Sequence, residues 1–518
     1  MRETKNTAFL KGTLALSISV IITKILGVAF KVPLSYVLGD EGMGYFNTAY
    51  AIYGFFYILC TAGVPKSVTL VLTSFRTEKS DSDREVLHSG LVLFAKIGLF
   101  STLLNIICAP VLARVVGNSN AVLSIIFVAP SIFFVSLSGV LRGYLNSSEK
   151  LTVIAFSQLI EAGVKLVLGL VFALLGVQRG ASVSVISSLA ILGITLGSGL
   201  SFVYMIISAI SIKSDIKTRQ NSIKEHKNIR TKILKNALPI SLSASLLNLS
   251  STLDLVIIIK RLVHNGMSEA HANAIYGNYT TLAVPMFNLV IAVLSPIAVS
   301  YMPRLSSFDF EGKKEEFVLA LNRLLLITLF ISVPASLSFY FYSFDLLDVL
   351  FSLQSSTQGA DMLIAISLGV CFLSALTVIN TALESQRKIS ATVISLLVGC
   401  AVKLTVSYTL IGNSEVGILG APIGTVISYA VSLAISLLIL EKGGVRIHAI
   451  SKICGLYFLG LVAFYPPYRF IYSTAICRSS FISMGVALFI SFLAYILLLV
   501  LLYFVCKCLK CTKKLLFH

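Results

Sequence analysis

The chain has 518 residues, of which 56% are hydrophobic and only 12% charged, with a mean hydropathy of +0.91. Soluble domains carry about 25% charge, so most of this chain cannot face water and a soluble multidomain enzyme is excluded. The net charge of +18 comes from 41 Lys+Arg against 23 Asp+Glu. In a chain this apolar, that excess points to loops obeying the positive-inside rule and not to nucleic acid.

Fourteen apolar runs follow one another at 12–38, 45–74, 87–115, 121–141, 151–177, 183–212, 233–259, 274–301, 317–342, 362–383, 389–411, 416–440, 453–472 and 481–505. Each can cross a hydrocarbon core of about 30 Å as a helix, and they exceed the short alternating strands of an outer-membrane barrel. The expected fold class is an all-α polytopic membrane protein with about fourteen transmembrane helices. The first run is too long for a signal-peptide core, and no A-x-A site follows it. With the N-terminus inside, 28 of the basic residues fall in inner segments and six in outer ones. This predicts a cytoplasmic-membrane protein with both termini cytoplasmic.

An internal repeat divides the chain. At an offset of 238, Leu145, Ser147, Lys150, Ser157, Val164, Lys165 and Leu166 recur as Leu383, Ser385, Lys388, Ser395, Val402, Lys403 and Leu404. These segments enter and fill the fifth span of each six-span half. Both run in the same direction, so the halves are expected to be parallel repeats, as in transporters that rock one lobe against the other. The expected domains are a six-helix lobe at 1–212, a basic cytoplasmic linker at 213–232, a second six-helix lobe at 233–440, and a helix pair with a basic tail at 441–518.

No loop is large enough for a catalytic domain, and nothing resembles a phosphate loop. No enzyme activity, cofactor or metal site is expected. The tail cysteines Cys506, Cys508 and Cys511 read as free or acylated thiols. The informative residues are charges within spans, which are costly in lipid and usually face a bundle interior or a hydrated cavity. Lys24 and Lys31 lie seven residues apart and so share a helix face; Gly27 and Pro33 favour a bend there. Snorkelling is the alternative for both. Glu161 and Lys165 have the favourable i, i+4 order and can neutralise each other. The repeat mate Lys403 has Gly399 where the acid would stand, so it is expected to be unpaired. If the halves face one another, these lysines make a positive cleft suited to an anionic group such as a pyrophosphate. Asp254 is a candidate for a coupling cation.

The stretch 24–68 reads KILGVAFKVPLSYVLGDEGMGYFNTAYAIYGFFYILCTAGVPKSV. Through K-I-L-G, G-D-E-G-M-G-Y and T-A-G-V-P it resembles the stage V sporulation protein B and polysaccharide-flippase branch of the multidrug/oligosaccharidyl-lipid/polysaccharide exporter superfamily, related to the MurJ lipid II flippases. The resemblance implies two six-helix lobes around a central cavity and alternating-access movement of a lipid-linked sugar. It implies a cavity-facing role for Lys24 and matches Lys31 to a basic residue usual in the sporulation-type branch. The basic residue that MurJ-like proteins carry in span two has no clear equivalent within 55–61. The last two spans match a pair that holds a lipid tail in MurJ-like proteins.

The leading expectation is a flippase for a polyprenyl-pyrophosphate-linked saccharide or peptidoglycan precursor, with membrane lipids as its other partners. A cation-coupled multidrug exporter of the same superfamily and a non-transporting envelope-assembly protein are the competing readings.

Overall fold

The computed structural model describes residues 2–77, 83–211, 223–351, 353–447, 449–473 and 485–500. They are helical throughout, with no strand among them. The helices are packed into two compact units, one of 1–281 with 407–418, the other of 282–406 with 419–518.

The first unit holds α1 (Arg2–Thr61), α2 (Val64–Thr77), α3 (Asp83–Val116), α4 (Val122–Ser147), α5 (Leu151–Gln178), α6 (Val183–Ser211), α7 (Ile223–His264) and α8 (Glu269–Asn278). The 60-residue α1 is two helices joined at Gly39, whose φ of +63° and ψ of −177° only glycine adopts without strain. The G-D-E-G turn of the sequence is therefore a one-residue corner. The expected second span, 45–74, is interrupted at 62–63, and α2 restarts with Pro65 in its first turn, where a missing N–H costs nothing. The segment 407–418 is held to α7 by Arg261 Nε donating to the Tyr408 carbonyl (3.2 Å) and Asn265 Nδ2 to the Ile411 carbonyl (2.8 Å).

The second unit holds α9 (Val284–Phe310), α10 (Lys314–Phe341), α11 (Ser343–Asp348), α12 (Leu353–Ser367), α13 (Gly369–Ser385), most of α14 (Ile389–Ile411), α15 (Gly420–Lys442), α16 (Ala449–Ser473) and α17 (Gly485–Val500). Its core is an apolar cluster in which α10 contributes Leu321, Leu324, Leu325, Leu329 and Val333, all fully buried. Helices α12 and α13 are bent by 41° at a short break.

Among the described residues ten helices are long and apolar enough to cross a membrane, or eleven if the bent α12–α13 pair is one span. The chain is thus a polytopic α-helical membrane protein. The expected count of fourteen is not confirmed among the described residues. One 56-residue helical stretch, Ile18–Thr73, covers the first two expected spans, joined through the corner at Gly39. The expected span at 233–259 lies in α7, which is not among the ten. Helix α17 is shorter than the expected 481–505, the rest of which lies outside the described residues, as do the tail cysteines and linker residues 212–222.

The repeat has a structural counterpart in each unit. Helix α4 ends at Ser147 and α13 at Ser385; α5 starts at Leu151 and α14 at Ile389, each pair 238 apart. In the turns between, Glu149 (φ +56°) and Arg387 (φ +62°) are the only non-glycine residues with positive φ among those described. The same backbone bonds close both turns: Lys150 N–H to the Leu145 carbonyl and Lys388 N–H to the Leu383 carbonyl, each 2.9 Å. Two unrelated helix pairs would not share this left-handed corner at one offset. The domain boundaries expected from the repeat concern duplication, which the packing units do not decide.

A left-handed conformation strains any side chain with a Cβ. Glu149→Gly and Arg387→Gly should therefore each stabilise the protein by roughly 0.5 kcal/mol, after the entropy lost to glycine. Thermal unfolding in detergent checks this, with Glu149→Val and Arg387→Val expected to melt lower than the parent.

Candidate functional site

The first unit gathers the informative charges along one face of the second arm of α1. Phe46, Tyr50, Tyr53 and Tyr57 recur at spacings of four, three and four, so they form one stripe on a helix. Their ring centroids follow one another at 6.1, 6.0 and 5.6 Å, and Phe30 from the first arm joins at 5.8 Å from Phe46. Lys165 of α5 sets its ammonium over this stripe, 5.4 Å from the Phe30 ring centre and 5.6 Å from that of Tyr50. Aromatic faces attract a cation weakly, by about 0.5–2 kcal/mol, without neutralising it.

Glu161 does not pair with Lys165, as the i, i+4 spacing allowed. It pairs with Arg142, whose guanidinium donates to Glu161 Oε2 at 3.2 Å. Arg142 was assigned by hydropathy to the loop after span four. The structure places it inside α4, buried, with its Nε unpartnered among the described residues. The Tyr57 hydroxyl borders the same guanidinium. A forked guanidinium is the better partner for a carboxylate than a single ammonium, so Arg142 captures Glu161 and Lys165 is left without that acid.

Lys31 lies one residue from Phe30 and near enough to Lys165 to feel its charge. Its ammonium donates to Asn47 Oδ1 (3.2 Å) and to the Thr280 carbonyl (2.9 Å). Lys24 is exposed on the first arm of α1 and makes no hydrogen bond or ion pair with any described residue. Of the expected site residues, the structure thus brings Lys31, Glu161 and Lys165 together on one row within the first unit. Lys403 belongs to the second unit, on α14, half-buried. Lys403 makes an interaction of its own with another residue. Asp254 is buried on α7, beside Tyr276; it makes an interaction of its own, while its Oδ1 has no hydrogen-bond partner among the described residues.

Sequence reasoning missed Arg142 and the aromatic stripe. The signal for the stripe was F-x-x-x-Y-x-x-Y-x-x-x-Y at 46–57. For Arg142 it was the apolar residues continuing past it, Gly143, Tyr144 and Leu145, all buried.

Long apolar helices, a left-handed turn repeated at one offset and lysines within the spans define a polytopic membrane protein with polar groups inside its bundle. The family model of the lipid II flippase MurJ matches residues 34–465. The chain belongs to that family, whose members transport and do not catalyse. It is 23% identical over 427 residues to the stage V sporulation protein B of Bacillus subtilis (strain 168), covering 81% of this chain and 80% of that protein. It is 21% identical over 455 residues to the lipid II flippase MurJ of the same organism, covering 84% and 83%. A solved structure of lipid II flippase MurJ in an inward closed conformation superposes with a TM-score of 0.74, covering 95% of this chain and 99% of that one, at 17% identity.

Removing one partner of a buried ion pair strands the other charge and costs about 3–5 kcal/mol. Arg142→Met should therefore lower the thermal midpoint sharply. Arg142→Met with Glu161→Leu should recover most of the loss, since neither charge is then left alone. A double variant as unstable as the single one contradicts the pairing.

Proposed function

We propose that this protein flips a polyprenyl-pyrophosphate-linked saccharide or peptidoglycan precursor across the cytoplasmic membrane, with both termini cytoplasmic. The pyrophosphate is held by Lys24, Lys31, Lys165 and Lys403, while the polyprenyl tail stays in the bilayer beside membrane lipids. No bond is made or broken; the work is binding followed by alternating access. The division into a six-helix lobe at 1–212, a basic linker at 213–232, a second lobe at 233–440 and a terminal pair at 441–518 belongs to the same reading.

The observation that carries it is the engagement of Glu161 by Arg142. The carboxylate one helical turn from Lys165 is already taken, and among the described residues Lys165 sits over the rings of Phe30 and Tyr50. In a medium poorer than water at screening charge, such cations favour an anionic ligand strongly. The name of one relative, a lipid II flippase, supports the same class of cargo. A cation-coupled drug exporter needs an available buried carboxylate, and here Glu161 is paired with Arg142.

The test is reconstitution in liposomes with labelled lipid-linked oligosaccharides, scoring which become accessible on the far side. A charge-assisted contact contributes about 1.5–3 kcal/mol. Lys165→Ala, Lys24→Ala and Lys403→Ala should each slow flipping roughly 10- to 100-fold while the protein still inserts and folds. Lys165→Arg should retain most of it. Wild-type rates in folded alanine variants contradict the assignment.

A further inference from the structure

Lys31 carries a contact that phosphate binding does not call for. Its ammonium donates to the main-chain carbonyl of Thr280, 249 positions away in the chain. The reason that carbonyl is open lies in the local sequence. Residues Tyr279–Ala283 form a π-helical turn between α8 and α9. In a π register a carbonyl takes the N–H five residues on. For Thr280 that residue is Pro285, which has no N–H. The orphaned acceptor is filled by Lys31.

Around this bond, α1 and α8 are fastened at the Gly39 corner. Asn47 Nδ2 donates to Thr281 Oγ1 (2.8 Å), and Asn278 Nδ2 donates to Asp40 Oδ2 (3.0 Å). The backbones touch through glycines: a Cβ added to Gly44 would sit 2.2 Å from the Asn273 carbonyl oxygen, and one added to Gly277 would sit 2.6 Å from the Gly44 nitrogen. The fastening ends abruptly. The first packing unit stops at Thr281, inside the π turn, and the next residue begins the second. A π turn followed by Pro285 is a weak point in an otherwise continuous helix, and it lies where the two units divide.

We propose that Lys31 is a ligand-released latch: an anionic ligand draws its ammonium from the Thr280 carbonyl and frees α8 from α1 at the π turn. The inference rests on the binding reading above and adds to it how binding is transmitted. An ammonium–phosphate contact is charge-assisted and stronger than an ammonium–carbonyl bond. Lys31 and Lys165 repel one another when the site is empty, and a polyanion between them removes that repulsion. A ligand moves an equilibrium only by its preference for one state. Here the preference arises because one ammonium cannot serve both the ligand and Thr280 fully.

The test is a crosslink across the fastening. In the full chain with its nine cysteines replaced, Asp40→Cys and Asn278→Cys are introduced, and disulfide yield in detergent is followed with and without farnesyl pyrophosphate. Retention of labelled farnesyl pyrophosphate is measured in the same samples. The parent should crosslink efficiently when empty and at least fivefold less when the probe is bound. Lys31→Met, one atom shorter and without a donor, should crosslink poorly in both conditions. Lys31→Arg should restore the empty-state yield, which shows that the fold survives substitution. Pro285→Ala returns an N–H to the Thr280 carbonyl, so Lys31→Met in that background should change the yield little. Bound probe with an undiminished yield overturns the latch and leaves the binding reading standing. Parent-like crosslinking in Lys31→Met overturns it as well. Failure of the probe to bind overturns the binding reading, and the latch with it.

Discussion

The ion pair between Arg142 and Glu161 decides what the rest of the site can be. Buried charges need partners or they destabilise the fold. By taking the carboxylate on the row, Arg142 pairs its own charge and leaves Lys165 and Lys31 without an acid among the described residues. The remaining contacts are the soft ones, aromatic faces and neutral oxygens. These hold an ammonium in place without cancelling its charge. If Glu161 paired with Lys165, the row would be close to neutral and would offer an anion little.

The helices are shaped to hold that row. The corner at Gly39 turns α1 back on itself, so Phe30 and Lys31 of the first arm meet Phe46, Asn47 and Tyr50 of the second. Lys165 reaches the same place from α5. The second unit repeats the left-handed turn and the lysine that follows it fifteen residues later, but not the ion pair. At the position matching Arg142 stands Asn380, which accepts from Ser436 (3.1 Å), and at the position matching Glu161 stands Gly399. A scaffold was duplicated and its charge chemistry then diverged.

Much of the fold was legible in the sequence because hydropathy reports directly on a chain that must satisfy lipid. The repeat was legible too, since seven identities fall at one offset, three of them at the strained turn and four along the helix that follows. The span count was less legible. The sequence separates the first two spans at G-D-E-G, whereas the structure joins them through a one-residue corner at Gly39. In the site, Lys31 and Lys165 stood out as charges in apolar runs, whereas Arg142 at a run's end was read as a loop residue. Its partner could not be read from spacing, because α4 and α5 meet through the fold and Lys165 was the nearer cation in sequence. The π turn had a signal in Pro285, but its meaning depended on Lys31 arriving from 249 residues away.

The central claim is that an anionic headgroup binds to lysines left unneutralised by the Arg142–Glu161 pair. An experimental structure with a polyprenyl-pyrophosphate-linked saccharide bound tests it most directly. The account predicts phosphate oxygens within hydrogen-bonding distance of the Lys31 and Lys165 ammoniums, with Glu161 still held by Arg142. A pyrophosphate bound away from both lysines, or a Glu161 turned to Lys165 in the bound state, would contradict it.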